Sequence, residues 1–250
     1  FERSKETLGL LYADHFPYLQ KKTARGVRRT PFHHHLKENG AVFGELAGWE
    51  RANWFANPGQ DPSYAYSWKR QTFFDNVAAE HKAVRSNLGL YDMSSFGKIR
   101  VEGPDACAFM NYIGGGQHDV PLGKIVYTQF LNDRAGIEAD VTVTRLSETC
   151  YLVVTPAATR LADQTWMMRH KGAFNVVITD VTAGEAVLAV MGPNARKLLE
   201  RVSPNDFSNA HNPFGTAQEI ELGMGLARAH RVTYVGELGW EVYVSADMAG

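Results

Sequence analysis

Apolar and polar positions fall into a regular rhythm from about residue 71 onward. In "TFFDNVAAEHKAVRSNLGLYD", Phe74, Val77, Ala78, Val84 and Leu88 recur at spacings of mostly three or four. That is one face of a helix, and Gly89 stands just past its end. "GKIRVEG" reads as a short strand closed by a turn at Gly103-Pro104, and "DACAFMNYI" as a short helix that starts on an aspartate cap. "IVYTQFLND" and "ADVTVTRL" read as two strands joined through Asn132-Asp133-Arg134-Ala135-Gly136. "CYLVVT" adds a strand. "ATRLADQTWMMRHKG" adds a helix with Leu161, Trp166 and Met168 on its apolar face. "NVVITDVT" is a further strand, and "AVLAVMGPNARKLLERV" runs from an apolar strand through Gly192-Pro193 into a helix. "MGLARAHRVTYVGELGWEVYVS" reads as a hairpin that turns at Gly236-Glu237-Leu238-Gly239. Adjacent strands joined by short turns, mixed with helices, predict an α+β fold with largely antiparallel sheets and flanking helices.

Residues 1–70 lack this rhythm. They are rich in aromatics, among them Phe16, Tyr18, Trp49, Trp54, Tyr64 and Trp68, and are punctuated by glycine and proline. Disordered linkers are poor in aromatics, so this segment is expected to pack as an ordered extension. The start lacks an initiator Met and the end breaks off just after a strand. Both ends read as cuts through a longer polypeptide.

Composition narrows the classes. The chain has 250 residues, 44% hydrophobic and 21% charged, which is ordinary for a globular protein. A formal net charge of −1 and the lack of a basic stripe give no signal for nucleic acid. No run approaches the roughly 18 apolar residues of a membrane span. Two cysteines, Cys107 and Cys150, make no disulfide framework and fit a reducing compartment.

Most signatures of cofactor chemistry fail. No G-x-G-x-x-G follows a strand, and no G-x-S-x-G elbow is present. "GGGQHDVPLGK" misses the phosphate-loop spacing, because His118 stands where glycine is required and Ile125 follows Lys124. His33-His34-His35 are adjacent and cannot all face one ion, so no metal site is expected. What remains is acids beside aromatics on hairpins. Alternation places Val141 and Val143 on one face of their strand and Asp140 with Thr142 on the other. Tyr234 and Glu241 flank the "GELG" turn, where facing side chains would grip a flat polar heteroaromatic ring.

Four ordered motifs carry a resemblance. "YDMSSFGKIRVEGPDA", "YTQFLNDRAGIEADVTVTR", "LAVMGPNAR" and "RVTYVGELGWEVYV" together resemble the aminomethyltransferase family, the glycine-cleavage T-protein fold that binds tetrahydrofolate. The match spans about residues 71–250, an aminomethyltransferase domain that is C-terminally incomplete and lacks the family's final barrel. "LGLLYADHFPY" and "RGVRRTPFHHHLKENGAVFGELAGWERANWF" resemble the stretch that follows the flavin domain in dimethylglycine and sarcosine dehydrogenases. Residues 1–70 are then the linker after that domain.

The resemblance implies roles for particular residues. The family's G-I-x-D-D-L motif places a functional aspartate at its second acid, which is Asp140 here, with Ala139 at the first. Its Y-x-G-E-x-G-x-E motif matches Tyr234, Gly236, Glu237, Gly239 and Glu241, and in the family the Tyr and second Glu contact the folate pterin. Glu138, Ala139, Val242, Tyr243, Phe96, Tyr127 and Glu237 are the further pocket residues it implies, with Asp140 as the catalytic carboxylate. Thr155-Pro156 stand where the T-protein branch has Asn, which points toward the flavoprotein branch.

The implied reaction is one-carbon transfer from an N-methyl amine to tetrahydrofolate, giving 5,10-methylenetetrahydrofolate. FAD would sit in a flavin domain of the same polypeptide and outside this chain. Folate and the amine are the implied partners, with no nucleic acid and no membrane. A bacterial cytoplasm and a mitochondrial matrix both fit. Two alternatives stay open: a stand-alone aminomethyltransferase that uses a lipoyl-bearing carrier, and a non-catalytic folate-binding module.

Overall fold

The computed structural model describes residues 1–249. The N-terminal part holds α1 (Glu2–Gly9), α2 (His33–Glu38) and the hairpin β1 (Ala41–Leu46) and β2 (Trp49–Phe55). Next come α3 (Phe74–Ser86), β3 (Gly89–Asp92), β4 (Gly97–Glu102), α4 (Ala106–Ile113), β5 (Ile125–Leu131), β6 (Ile137–Ser147) and β7 (Cys150–Thr155). The chain continues with α5 (Arg160–His170), β8 (Val177–Asp180), a short 3-10 turn, β9 (Glu185–Met191) and α6 (Ala195–Val202). It ends on β10 (Ala217–Leu222), β11 (Gly225–His230) and β12 (Gly239–Ser245).

Two five-stranded sheets dominate, ordered β5-β6-β7-β4-β8 and β10-β11-β12-β9-β3. Every pairing in them is antiparallel, as the sequence predicts. The alternation of each strand decides what it buries. On the first sheet, Ile99, Val101, Val141, Val143, Tyr151 and Val153 face α4 and α5, where Phe109, Met110 and Met167 complete a core. On the second, Val190, Ile220, Ala227, Ala229, Trp240 and Val242 pack under Ala195 and Leu199 of α6. The remaining faces meet each other: Leu152 and Val154 of the first sheet touch Val187 and Tyr243 of the second. The layers are therefore helices, sheet, sheet, helix.

Four expectations are corrected by tertiary context. Gly89, expected just past a helix, opens β3, and the helix itself stops at Ser86. Asp105 occupies the cap position of α4 but makes no cap bond; its carboxylate accepts Asn175 N at 2.7 Å instead. On α5, Leu161 and Met168 are exposed, and Asp163 and Met167 are the buried residues. Asp163 is tolerated there because Thr155 and Thr159 donate hydroxyls to it. Finally, β11 ends at His230, so His230 and not Tyr234 lies across from Glu241.

Residues 1–70 hold two helices and one strand hairpin. In β1–β2, Leu46 pairs with Trp49, and Ala47 and Gly48 both have positive φ (51° and 83°), the geometry of a two-residue hairpin turn. Its buried Trp54 stacks on Phe73 at 5.4 Å between ring centroids. Among the described residues no helix is long and apolar enough to cross a membrane. No group of three or more His, Cys, Asp or Glu among them is placed to hold a metal ion.

Candidate functional site

The hairpin β5–β6 sets the position of Asp140. Asn132 closes its turn: Oδ1 accepts Arg134 N at 3.0 Å and Gly136 N at 2.9 Å, the local self-bonding that makes Asn a turn residue. Glu138 is the extra residue of a bulge, since Ala139 pairs with Phe130 and Ile137 with Leu131. Its carboxylate takes Asn132 Nδ2 at 2.7 Å. The bulge fixes the register that follows. Asp140 then faces the inter-sheet side with Thr142 and Thr144, while Ala139 turns its methyl group into the helix-covered core.

Two neighbours on β5 hold the Asp140 carboxylate. Gln129, directly across the ladder, donates Nε2 to Oδ1 at 2.9 Å. Tyr127, diagonally across, donates its hydroxyl to Oδ2 at 3.0 Å. That bond holds the Tyr127 phenol above its usual pKa range. Each carboxylate oxygen keeps lone pairs free for a further donor. Asp140 and Tyr127 are exposed, whereas Thr144, about 13 Å further along β6, is fully buried against His230 of the opposite sheet at 3.5 Å. The space between the sheets is thus closed at Thr144 and open at Asp140.

Glu241 and Tyr243 lie in the closed part. Glu241 is 9% exposed and Tyr243 is 2% exposed. The Tyr243 hydroxyl donates to Glu241 Oε2 at 2.7 Å. Burial pushes the Glu241 carboxyl above its ordinary pKa, and the Tyr243 bond and the Lys98 charge oppose that rise. Tyr243 is pushed up further, so its proton stays in place. Phe96 packs beside Tyr243, Val154 and Leu152 and gives the space an apolar wall. A cleft of about 400 Å³ opens further along the same layer, lined by Arg100, Glu185, Arg228 and Tyr243.

The structure brings some of the sequence-predicted residues together and separates others. Asp140, Tyr127, Phe96, Glu241 and Tyr243 share the inter-sheet side. Val242 points into the opposite core, under α6, and Ala139 into the α4–α5 core, so each has only backbone to offer this space. Tyr234 stands 78% exposed in the loop between β11 and β12. Glu237, in the same loop, pairs with Arg85 at 2.6 Å. Gln129, Lys98 and His230 were not among the expected site residues. Gln129 was readable from the hairpin register alone, whereas Lys98 and His230 needed knowledge of the second sheet.

The GCVT N-terminal domain family matches residues 32–250 of this sequence. The chain belongs to that family. The match reaches further toward the N-terminus than the four motifs do and takes in α2 and the β1–β2 hairpin. The chain is 48% identical over 247 residues to 4-methylaminobutanoate oxidase (formaldehyde-forming) of Paenarthrobacter nicotinovorans, covering 99% of this chain and 30% of that protein. It is 29% identical over 244 residues to human mitochondrial dimethylglycine dehydrogenase, covering 96% of this chain and 28% of that protein. The chain thus spans less than a third of the length of these curated relatives. Among solved structures, the glycine cleavage system aminomethyltransferase T from Bartonella henselae matches with a TM-score of 0.71 at 26% identity, over 90% of this chain and 55% of that one. The GCVT-family fold expected from the sequence is therefore the fold observed, and its relatives include enzymes larger than this chain.

Proposed function

We propose that this domain binds tetrahydrofolate and transfers a one-carbon unit to it within a flavoprotein that demethylates an N-methyl amine. The observation that carries this reading is the Asp140 carboxylate, gripped by Gln129 and Tyr127 where the inter-sheet space opens. The groups on the same inter-sheet side suit a reduced folate. Phe96 offers an apolar wall, Asp140 and Glu241 offer acceptors, and Gln129 keeps its second N–H as a donor while Tyr127 spends its hydroxyl proton on Asp140.

Bound there, tetrahydrofolate supplies the amine nitrogens that take the carbon, and FAD carried elsewhere in the polypeptide supplies the oxidant for the N-methyl amine. Two electrons leave the amine, and its methyl carbon moves on at the oxidation level of formaldehyde. Tetrahydrofolate held there would take up this carbon through two amine nitrogens as the carbon's bond to the parent amine breaks and the demethylated amine leaves, and the first nitrogen to join it would give up a proton. Asp140 receives this proton or offsets the positive charge that precedes its loss. Gln129 and Tyr127 keep the carboxylate aimed, so it does not reorganise during the step. Glu241, shielded from water, accepts hydrogen bonds from the N–H groups of the pterin.

A second reading has its own observation: the relative at 48% identity is named as forming formaldehyde. Release of the carbon as free formaldehyde would leave the folate step optional. The test uses the complete natural polypeptide with 4-methylaminobutanoate, dimethylglycine or sarcosine, with and without tetrahydrofolate. Methylenetetrahydrofolate that rises as free formaldehyde falls supports the transfer. Formaldehyde equal to the amine consumed, whatever the folate concentration, overturns it in favour of the second reading.

A further inference from the structure

A separate cleft of about 500 Å³ lies in the N-terminal part, a volume ordinary for a small-molecule pocket. Arg25, Arg29, His33, Lys37, Glu50 and Tyr64 line it, and it shares no residue with the inter-sheet side. Its one carboxylate is already spent. Glu50 is buried and accepts Arg25 Nε at 2.8 Å and Gly26 N at 2.6 Å. Arg25 is spent in turn, because its Nη2 also donates to Phe43 O at 3.1 Å. Together the two side chains are neutral.

The other donors are not spent. Among the described residues no carboxylate lies within ion-pair distance of Arg29 or Lys37, although both line the cleft. The Arg29 guanidinium folds back over Gly26, where a Cβ would stand 2.9 Å from its Nη2. Glycine leaves that space, and its φ of 70° suits glycine as well. Tyr64 accepts Asn53 Nδ2 at 2.8 Å and keeps its own hydroxyl proton to donate. Burial holds that phenol above its ordinary pKa, so the proton stays. His33 lies one helical turn before Lys37 on α2 and packs its ring on Phe43, 4.3 Å between centroids. Its Nδ1 is enclosed without a partner, which leaves Nε2 as the ring nitrogen open to a ligand. Burial and the Arg29 charge hold His33 below its ordinary pKa; Lys37 acts the same way, and Glu50 and Asp92 oppose it. The cleft therefore presents two uncompensated cations, a neutral imidazole and a phenol, with no acceptor to spare.

We propose that this cleft binds a small dianion, a phosphate monoester or a dicarboxylate, with Arg29 and Lys37 meeting its charge and Tyr64 and His33 adding hydrogen bonds. Donors without free acceptors select an anion, and two uncompensated cations match two negative charges. A cation would have to take Glu50 from Arg25 and Gly26. Bound beside His33, the dianion favours the imidazolium form, so binding near neutral pH takes up a proton. Added salt weakens the attraction, because Arg29 and Lys37 are both exposed.

The experiment titrates the complete polypeptide with sulfate, a tetrahedral dianion, and with succinate, a dicarboxylate. Calorimetry at low salt and neutral pH, in two buffers of different ionisation enthalpy, reads both affinity and proton uptake. The expected result is saturable binding of at least one probe, and the tighter probe identifies the shape of the ligand. Arg29→Gln and Lys37→Gln should each weaken that binding at least about tenfold, the low end for losing a charge-assisted hydrogen bond. Both side chains are exposed, so the variants should fold, and circular dichroism verifies it. Proton uptake should vanish in His33→Gln; unchanged uptake removes His33 from the site. Lys82→Gln, a charge on α3 outside the cleft, serves as the control. No saturable binding of either probe, or full affinity in both Arg29→Gln and Lys37→Gln, overturns the proposal. So does an equal loss in Lys82→Gln, which would mean general charge attraction only.

Discussion

Replacing Tyr243 with Phe removes one hydroxyl from the layer between the sheets and nothing else. The ring keeps its contacts with Leu152, Val154 and Val187 and its 4.3 Å packing on His230. Glu241, 9% exposed, loses the donor that sat 2.7 Å from Oε2. A hydrogen bond to a charged acceptor contributes about 1.5–3 kcal/mol, and a buried acceptor left unpaired pays its desolvation cost, so about 2 kcal/mol is expected at pH 8. For a chain of this size that is a fall in Tm of about 4–8 °C. The pH dependence has a definite sign. Burial holds Glu241 above its ordinary pKa in the folded state, so its contribution is most favourable below the unfolded pKa and is lost as pH rises through the folded one. The Tyr243 bond moderates that loss because it favours the ionised form. The deficit of the variant must therefore grow from pH 5 to pH 8. Urea unfolding followed by tryptophan fluorescence at both pH values measures it. A deficit under about 0.5 kcal/mol at pH 8, or one as large at pH 5, refutes the reasoning.

Two further perturbations probe other parts of the fold. Glu50 is buried and accepts Arg25 Nε at 2.8 Å and Gly26 N at 2.6 Å, and the Arg25 guanidinium holds its pKa below 4.5. Its stabilisation is complete above that ordinary value and is lost as pH falls through the folded pKa, so Glu50→Gln should cost about 2 kcal/mol at pH 7 and progressively less as the pH is lowered into the acid range. Amide exchange in residues 25–55 reads this, and equal protection at pH 7 in both proteins would rule it out. Gly192 joins β9 to α6 with φ 136°, and a Cβ there would lie 2.4 Å from Asn87 O and 2.6 Å from the Leu88 Cα. Backbone cannot yield as a side chain does, so Gly192→Ala should lower Tm by at least about 8 °C; a shift under about 2 °C means the turn is softer than described.

The sequence made some of this legible and hid the rest for identifiable reasons. The Asn132–Gly136 turn and the Val141/Val143 alternation were visible because they rest on local bonding and strand period. The same register, followed one strand back, places Gln129 on Asp140. Lys98 alternates with Ile99 in "GKIRVEG" and so looks solvent-facing; only the second sheet turns that face into an interior. Tyr234 looked like the partner of Glu241 because both arms of the last hairpin are rich in strand formers, yet β11 stops at His230. The β1–β2 hairpin escaped notice because Ala47-Gly48 is a weak turn signal beside Asn-Gly or Asp-Gly.

The central claim is that the Asp140 carboxylate, set by the β5–β6 register, assists transfer of carbon to folate. The most direct measurement is the yield of methylenetetrahydrofolate per amine oxidised in the complete polypeptide, with and without Asp140→Ala. A fall of at least about 10²-fold in a folded variant, the low end for losing a general acid or base, is the predicted result. An unchanged yield per amine oxidised would contradict it.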